Sequence, residues 1–309
     1  MNKLTKAGIA GLFLSLTAVL ASCGSSSETS SDTVAVTADV FPVTVGDLTL
    51  DAQPTRIISL SPTATEMLYA IGAGSQVVAV DEYSNYPAEA VALGTPLSGF
   101  EPNIEAISGY TPDLVIISYD PGSLAEQLST LNIPVFVAGA AMSIENVYEQ
   151  IEQLGVLTGN SQKAIEVSKT LQVGIEEAVA SVQFSEPPLS YYYELDNTYY
   201  SVTSNTFIGQ IFNLFGMRNI ADNVESGNDY PQLSAEVIVS SDPDFIFLAD
   251  TKCCAQDATT VAARDGWGGL KAVTANQVVE LDDDVASRWG PRVLELITAI
   301  RDAVVAANS

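Results

Sequence analysis

Any chemistry in this chain must be done without histidine, since none of its 309 residues is one. A hydrolase would lack its commonest general base, and Ser61 in "SLSPT" stands outside the G-x-S-x-G elbow that presents a nucleophile. Carboxylates are plentiful, but no pair is set apart from the other acids as a glycosidase pair would be. Cys253 and Cys254 are adjacent in "ADTKCCAQDATT" and could form a vicinal disulfide in an oxidising compartment, or stay as two free thiols. With histidine absent and the third cysteine, Cys23, read below as a lipid anchor, nothing completes a soft shell around them, so they do not read as a zinc site. No catalytic residue and no direct metal ligand is therefore assigned. What the chain does offer is a set of residues suited to holding a ligand. Tyr83 and Tyr86 lie in "DEYSNYP", Phe100 in "LSGFEPN", Tyr119 in "SYDPG", Tyr230 in "NDYPQL", and Arg288 with Trp289 in "ASRWGP". Tyrosine and tryptophan carry broad apolar faces with a polar tip, which suits a large, flat or globular guest. Any single ring could be packing; the set points to a binding cleft.

These residues need a scaffold, and the order of elements supplies one. Residues 1–22 begin with Lys3 and Lys6, followed by an apolar run from Ala7 to Ala21 that is short for a membrane span, so they read as a signal peptide. Leu20-Ala21-Ser22-Cys23 resembles the bacterial lipobox, which makes Cys23 the lipidated first residue of the mature chain. Residues 23–38 include "GSSSETSSDT", which has no apolar side chain for a core and is expected to be a flexible tether. With Lys3 and Lys6 removed, 10 basic residues face 38 acidic ones, a balance of 10 − 38 = −28. So strong a negative field excludes nucleic acid as a partner and disfavours anionic ligands unless bases are placed for them. At 47% hydrophobic residues the rest is nonetheless globular.

From residue 39 to 142, apolar runs such as "IISL", "QVVAV", "PDLVII" and "IPVFVAG" alternate with helical patterns, which predicts a mainly parallel sheet covered by helices. Residues 143–186 read as one long helical stretch, with a weak point between Gly155 and Gly159 and a stop at Pro187-Pro188. The alternation then resumes from 187 to 309. The two α/β segments are in register with each other: "EMLYAIG" answers to "QIFNLFG", and "EAISGYTPDLVII" to "EVIVSSDPDFIFL". Glu66 falls on Gln210, Glu105 on Glu236, and Asp113 on Asp244. The fold class is thus α/β, with two similar lobes bridged by a long α-helix. "SLSPTATE" turns a central strand into a helix, capped either by Ser61 ahead of Pro62 or by a Thr63–Glu66 capping box. Such a junction sits on the rim where ligands meet an open α/β sheet.

"RIISLSPTATEMLYAIGAGSQVVAVDEYSNYP", "NIEAISGYTPDLVIIS" and "VVELDDDVASRWGPRV" resemble the substrate-binding proteins of bacterial ABC importers for corrinoids and ferric siderophores. The resemblance implies a class III periplasmic-binding-protein fold and a monomer held on the outer face of the cell membrane by its lipid. It implies no cofactor and no enzymatic activity, and a metal-chelate cargo handed to permease subunits. It also implies that Glu105 and Glu236, one on each lobe, dock against arginines of the permease; the plainer reading is that acids favour the first turn of a helix. Charge favours a neutral or cationic chelate, hydroxamate-like or corrinoid, with Arg288 touching it or else pairing with Asp282, Asp283 or Asp284. An exported α/β hydrolase and a ligand-free scaffold lipoprotein are the competing readings.

Overall fold

The structure, a computed structural model, describes residues 39–308. The signal segment, Cys23 and the tether to residue 38 lie outside the described residues.

The chain opens with a hairpin, β1 (Val43–Val45) against β2 (Leu48–Leu50), turned at Gly46 with φ of 56°. Four parallel strands follow: β3 (Ile57–Leu60), β4 (Val77–Val80), β5 (Leu114–Ile117) and β6 (Val135–Val137), in the order β4-β3-β5-β6. The helices among them are α1 (Pro62–Ala70), α2 (Ala88–Val91), α3 (Ile104–Gly109) and α4 (Leu124–Ser129). The second lobe holds β7 (Ser190–Glu194), β8 (Arg218–Asn219), β9 (Phe245–Leu248) and β10 (Val278–Glu280), in the order β10-β9-β7-β8. Both sheets are parallel, and both place their first strand between the second and the third. The internal repeat is therefore also a repeat of topology. It extends to single bonds: Asp113 accepts from the backbone of Thr55 and Arg56 ahead of β3, and Asp244 accepts from the backbone of Ser190 at the start of β7.

Between the lobes the helical stretch is two helices, not one. α5 (Ile144–Thr158) ends at Gly159 with φ of 73°, and α6 (Ser161–Ala180) starts two residues later. The left-handed conformation at Gly159 caps α5 and reverses the chain. α5 then folds back on α6 while packing on α1 and β1; α6 packs on α12 (Val293–Ala307). Gly155 permits the close pass, because a Cβ there would stand 2.4 Å from that of Ala164. The bridge is thus α6, whose 20 residues span roughly 30 Å, while α5 belongs to the first lobe.

The second lobe is completed by α7 (Phe207–Asn213), α8 (Ala235–Ser241), α9 (Ala258–Ala262), α10 (Lys271–Thr274) and α11 (Asp283–Ser287). "YYSV" forms no named strand; Tyr200 makes only an isolated bridge to Gln232. One continuous core joins the lobes: Ile57 and Leu114 beneath α1 and α5, Leu171 and Ile175 on α6, Leu296 and Ile300 on α12, then Tyr191, Phe212 and Phe247. Separate clusters cover the outer sheet faces, with Ile58 and Val115 on one and Tyr192 and Ile246 on the other. Strands buried on both faces explain why "IISL" and "FIFL" are apolar throughout rather than alternating. Among the described residues no helix is long and apolar enough to cross a membrane.

Candidate functional site

Parallel strands deliver their carboxyl ends to one edge, and loops from that edge of the first lobe converge on the seam with the second. β3 ends at Leu60, and Ser61 caps α1 by accepting from the Ala64 amide at 3.3 Å, with Pro62 in the first turn; this settles the cap in favour of Ser61. The loop after β4 carries Tyr83, that after β5 carries Tyr119, and Phe100 lies on the long connection to α3. Together with Asp284, Arg288 and Trp289 of the second lobe they line a cavity of about 480 Å³.

The three rings face solvent, with Tyr83, Phe100 and Tyr119 at 52%, 62% and 42% exposure. They nevertheless touch one another. Tyr83 meets Phe100 edge to face at 5.4 Å, and Phe100 lies 6.0 Å from Tyr119. Large apolar surface left open in one patch marks a binding surface rather than a core. Gly99 fits this loop against the strand end, since a Cβ there would lie 2.8 Å from the Leu60 carbonyl oxygen and 3.1 Å from Asp81 Oδ2.

Beneath the rings runs a buried polar chain. Thr65 Oγ1 donates to Ser59 Oγ at 2.9 Å and stands 2.9 Å from Ser84 Oγ, which donates to Asp81. Burial pushes the Asp81 carboxyl up, against the lowering effects of Ser84 and Arg288. The cavity therefore has a buried carboxyl among its lining residues.

On the opposite wall every terminal nitrogen of Arg288 is engaged. Nη1 donates to Glu66 Oε1 at 2.8 Å and to Asn85 Oδ1 at 2.9 Å; Nη2 donates to the Tyr83 carbonyl at 3.0 Å and to Asp284 Oδ1 at 2.7 Å. Arg292 reaches the same glutamate, with Nε 3.0 Å from Oε2 and Nη2 2.7 Å from Oε1. Glu66 belongs to the first lobe and both arginines to the second, so these bonds cross the seam. Trp289 is oriented by Gln150 of α5, to which its Nε1 donates at 3.1 Å.

Two like lobes with a cleft at their seam, lined by open aromatic rings, make an arrangement suited to holding a ligand. Residues 57–285 match the periplasmic binding protein family. The chain belongs to that family. It is 29% identical to the ABC transporter substrate-binding lipoprotein YvrC of Bacillus subtilis, over 97% of each chain. It is 32% identical to a cobalamin-binding protein of Halobacterium salinarum, over 85% of this chain and 74% of that one. Among solved structures, the vitamin B12-binding protein BtuF of Vibrio cholerae superposes with a TM-score of 0.69 at 28% identity, covering 83% of this chain and 98% of that one. The parallel two-lobe fold read from the sequence is the fold of these periplasmic binding proteins.

Of the seven ligand candidates, five line the cavity of this periplasmic binding protein: Tyr83, Phe100, Tyr119, Arg288 and Trp289. Tyr86 does not. Its ring lies 4.3 Å under the Arg292 guanidinium and lines a separate groove of about 1180 Å³ between α1 and α12. Tyr230 is exposed on a second-lobe loop, its amide donating to Asn228 Oδ1, and does not line the cavity. Glu105 and Glu236 occupy the same place on α3 and α8, one residue into each helix behind the caps Asn103 and Ser234, and both are exposed. Asp282 caps α11, Asp283 accepts from the amides of Lys252 and Cys253, and Asp284 pairs with Arg288. Cys253 and Cys254 are free thiols with their sulfurs 2.7 Å apart.

Sequence reasoning missed Asp81 and the role of Glu66. A trace of the latter was present: Glu66 is the one acid in the apolar run "TATEMLYA", and Arg288 and Arg292 are four residues apart. A buried acid calls for a base, and the pair of arginines was available.

Proposed function

We propose that this periplasmic binding protein captures a metal chelate of the corrinoid class between its lobes and delivers it to the permease of an ABC importer. The observation that carries this reading is the convergence of Tyr83, Phe100 and Tyr119, rings from three separate loops, on one inter-lobe cavity walled on the far side by Trp289. Such a surface suits a broad ligand whose apolar faces stack on rings and whose amide edges meet polar tips. The cobalamin-binding and B12-binding relatives support the corrinoid over other chelates. A ferric hydroxamate is the second reading, favoured by the acidic balance of the chain, which suits a ligand without negative charge.

Lipidation at Cys23 would hold the protein outside the cell membrane as a monomer, within reach of the permease. Glu105 and Glu236 would dock it there, two separated carboxylates fixing a bilobed body over two subunits. The adjacent thiols would close to a vicinal disulfide in that compartment, which would lower the intact mass by two hydrogens.

Titration with cyanocobalamin and with ferrioxamine, followed by tyrosine and tryptophan fluorescence, tests the reading. Saturable quenching by one of them, with the chelate recovered unchanged, is the expected result. A ligand converted to product, or no saturable binding of either, would remove it.

A further inference from the structure

Among the described residues Arg288 is the only basic one lining the cavity, and the structure leaves it no charge to offer. Its guanidinium is shared between Glu66 at 2.8 Å and Asp284 at 2.7 Å. Glu66 in turn carries Arg292 at 2.7 Å. Two carboxylates and two guanidiniums sum to zero. The next nearest cation in the network, Lys252, is held by Asp282 at 2.8 Å and Asp284 at 2.9 Å. Asp81 adds a further acid to the cavity floor.

Within this cluster Glu66 holds the pivotal place. Its side chain is 1% exposed, those of Arg288 and Arg292 are 10% and 15%, and the charges of the triad are therefore screened little by water. Gly290 lies against it, with Glu66 Oε2 3.4 Å from where a Cβ would be, so the arginine-bearing loop passes close over the carboxylate. At the matched position of the second lobe stands Gln210, uncharged, whose amide donates to the Met142 carbonyl at 2.8 Å. A glutamine is thus sufficient to make a polar contact from that helix position. The carboxylate at 66 supplies something more, namely a negative charge.

We propose that Glu66 sets the charge selectivity of the cleft: by neutralising Arg288 from across the seam, it restricts the guest to chelates without net negative charge. This deepens the reading of the cleft as a chelate site and rests on it. Glu66 acts through Arg288 and is a positioning residue; it does not itself line the 480 Å³ cavity.

The test compares dissociation constants of the wild type, Glu66→Gln and Asp284→Asn for three probes: cyanocobalamin (neutral), ferrioxamine B (cationic) and a ferric tris-catecholate (anionic). The wild type is expected to prefer the neutral or cationic probe. Each substitution removes a counter-charge from Arg288, so the affinity ratio of the anionic to the neutral probe should rise by roughly tenfold or more. Loss of shape alone would weaken all three probes together and leave the ratio unmoved, which would overturn the proposal. Asp284 is on the cleft rim and more exposed than Glu66, so its variant keeps the test decisive if Glu66→Gln does not fold. A wild type that takes the anionic probe as well as the neutral one would overturn the charge inference alone. A wild type that binds none of the three would overturn the chelate reading and this inference with it.

Discussion

The two lobes share a topology and use it differently. In the first, the aromatic side chains at the strand ends face outward: Tyr83, Phe100 and Tyr119 are open to the cleft. In the second, the rings of the central strand are withdrawn. Tyr191, Tyr192 and Tyr193 on β7 are all buried, stacked or set edge to face with Phe212, Phe247 and Trp267. What the second lobe shows to the cleft is mainly charge and one indole, on the segment Asp284 to Trp289. The comparison extends to acids at the strand ends. Asp81 after β4 has Ser84 as a donor and Arg288 as a neighbour. Asp250 after β9 is wholly buried beside Glu194, a carboxylate that Arg264 already holds at 2.6 Å, so it has no base of its own. A duplicated framework, then, fixes where side chains go, while their chemistry divides into a lobe that stacks and a lobe that balances charge.

Four experiments put that contrast to the test. The largest effect is expected where the lobes are alike. Glu105→Ala combined with Glu236→Ala should abolish uptake into cells while leaving chelate affinity within about twofold, since neither residue lines the cavity. Normal uptake by the double variant would end the docking assignment. Next comes the matched pair inside the helices. Glu66→Ala strands two buried guanidiniums and should cost about 3–5 kcal/mol in urea unfolding, against about 1 kcal/mol for Gln210→Ala. Equal costs would mean that the seam is not held by charge.

The third concerns Asp250. Burial, then the nearby Glu194, push the Asp250 carboxyl up to about 7. The folded protein keeps that proton up to about pH 7, whereas an unfolded chain releases it near pH 4. Stability contributed by the protonated form is therefore complete below pH 4 and is lost as the pH rises to about 7. Asp250→Asn should be more stable than the wild type at pH 8, by about 4 kcal/mol, and the gain should vanish near pH 4. A gain independent of pH would refute the assignment. The smallest effect is at the rings. Tyr83→Ala or Phe100→Ala should each weaken chelate binding about tenfold with the melting temperature unchanged, while Tyr230→Ala stays within about twofold. If Tyr230 proves as important as Phe100, the second lobe also stacks.

Local pattern and repetition made most of the framework legible. Asp113 and Asp244 were in register in the sequence, and the structure gives both the same task, holding the backbone ahead of a strand. The break in the long helical stretch was weakly marked, because Gly155 and Gly159 are both small and only the second has a positive φ. The site was legible by residue type and not by partner. Arg288 was visible as a lone base, but Glu66 lies 222 residues away, and no local pattern relates them. Nor does composition tell an exposed ring from a buried one: "DEYSNYP" and "YYYEL" are both tyrosine-rich, and only the packing of α7 on the second sheet decides which is covered.

One detail at the foot of the molecule bears on how it meets its membrane. α1 leaves the cleft and runs back along the sheet, and Gly72 beyond its end approaches Asn160, next to Ser161, whose amide donates to Asp39 at 3.0 Å. The described chain thus starts beside the end of α1 that points away from the strand ends. With an acyl group on Cys23, the leash would attach at the base while the mouth must turn toward the bilayer to unload. Fifteen residues separate Cys23 from Asp39, a contour of at most roughly 55 Å, longer than the bridging helix. A leash of that contour would let an anchored body capsize without slipping its mooring.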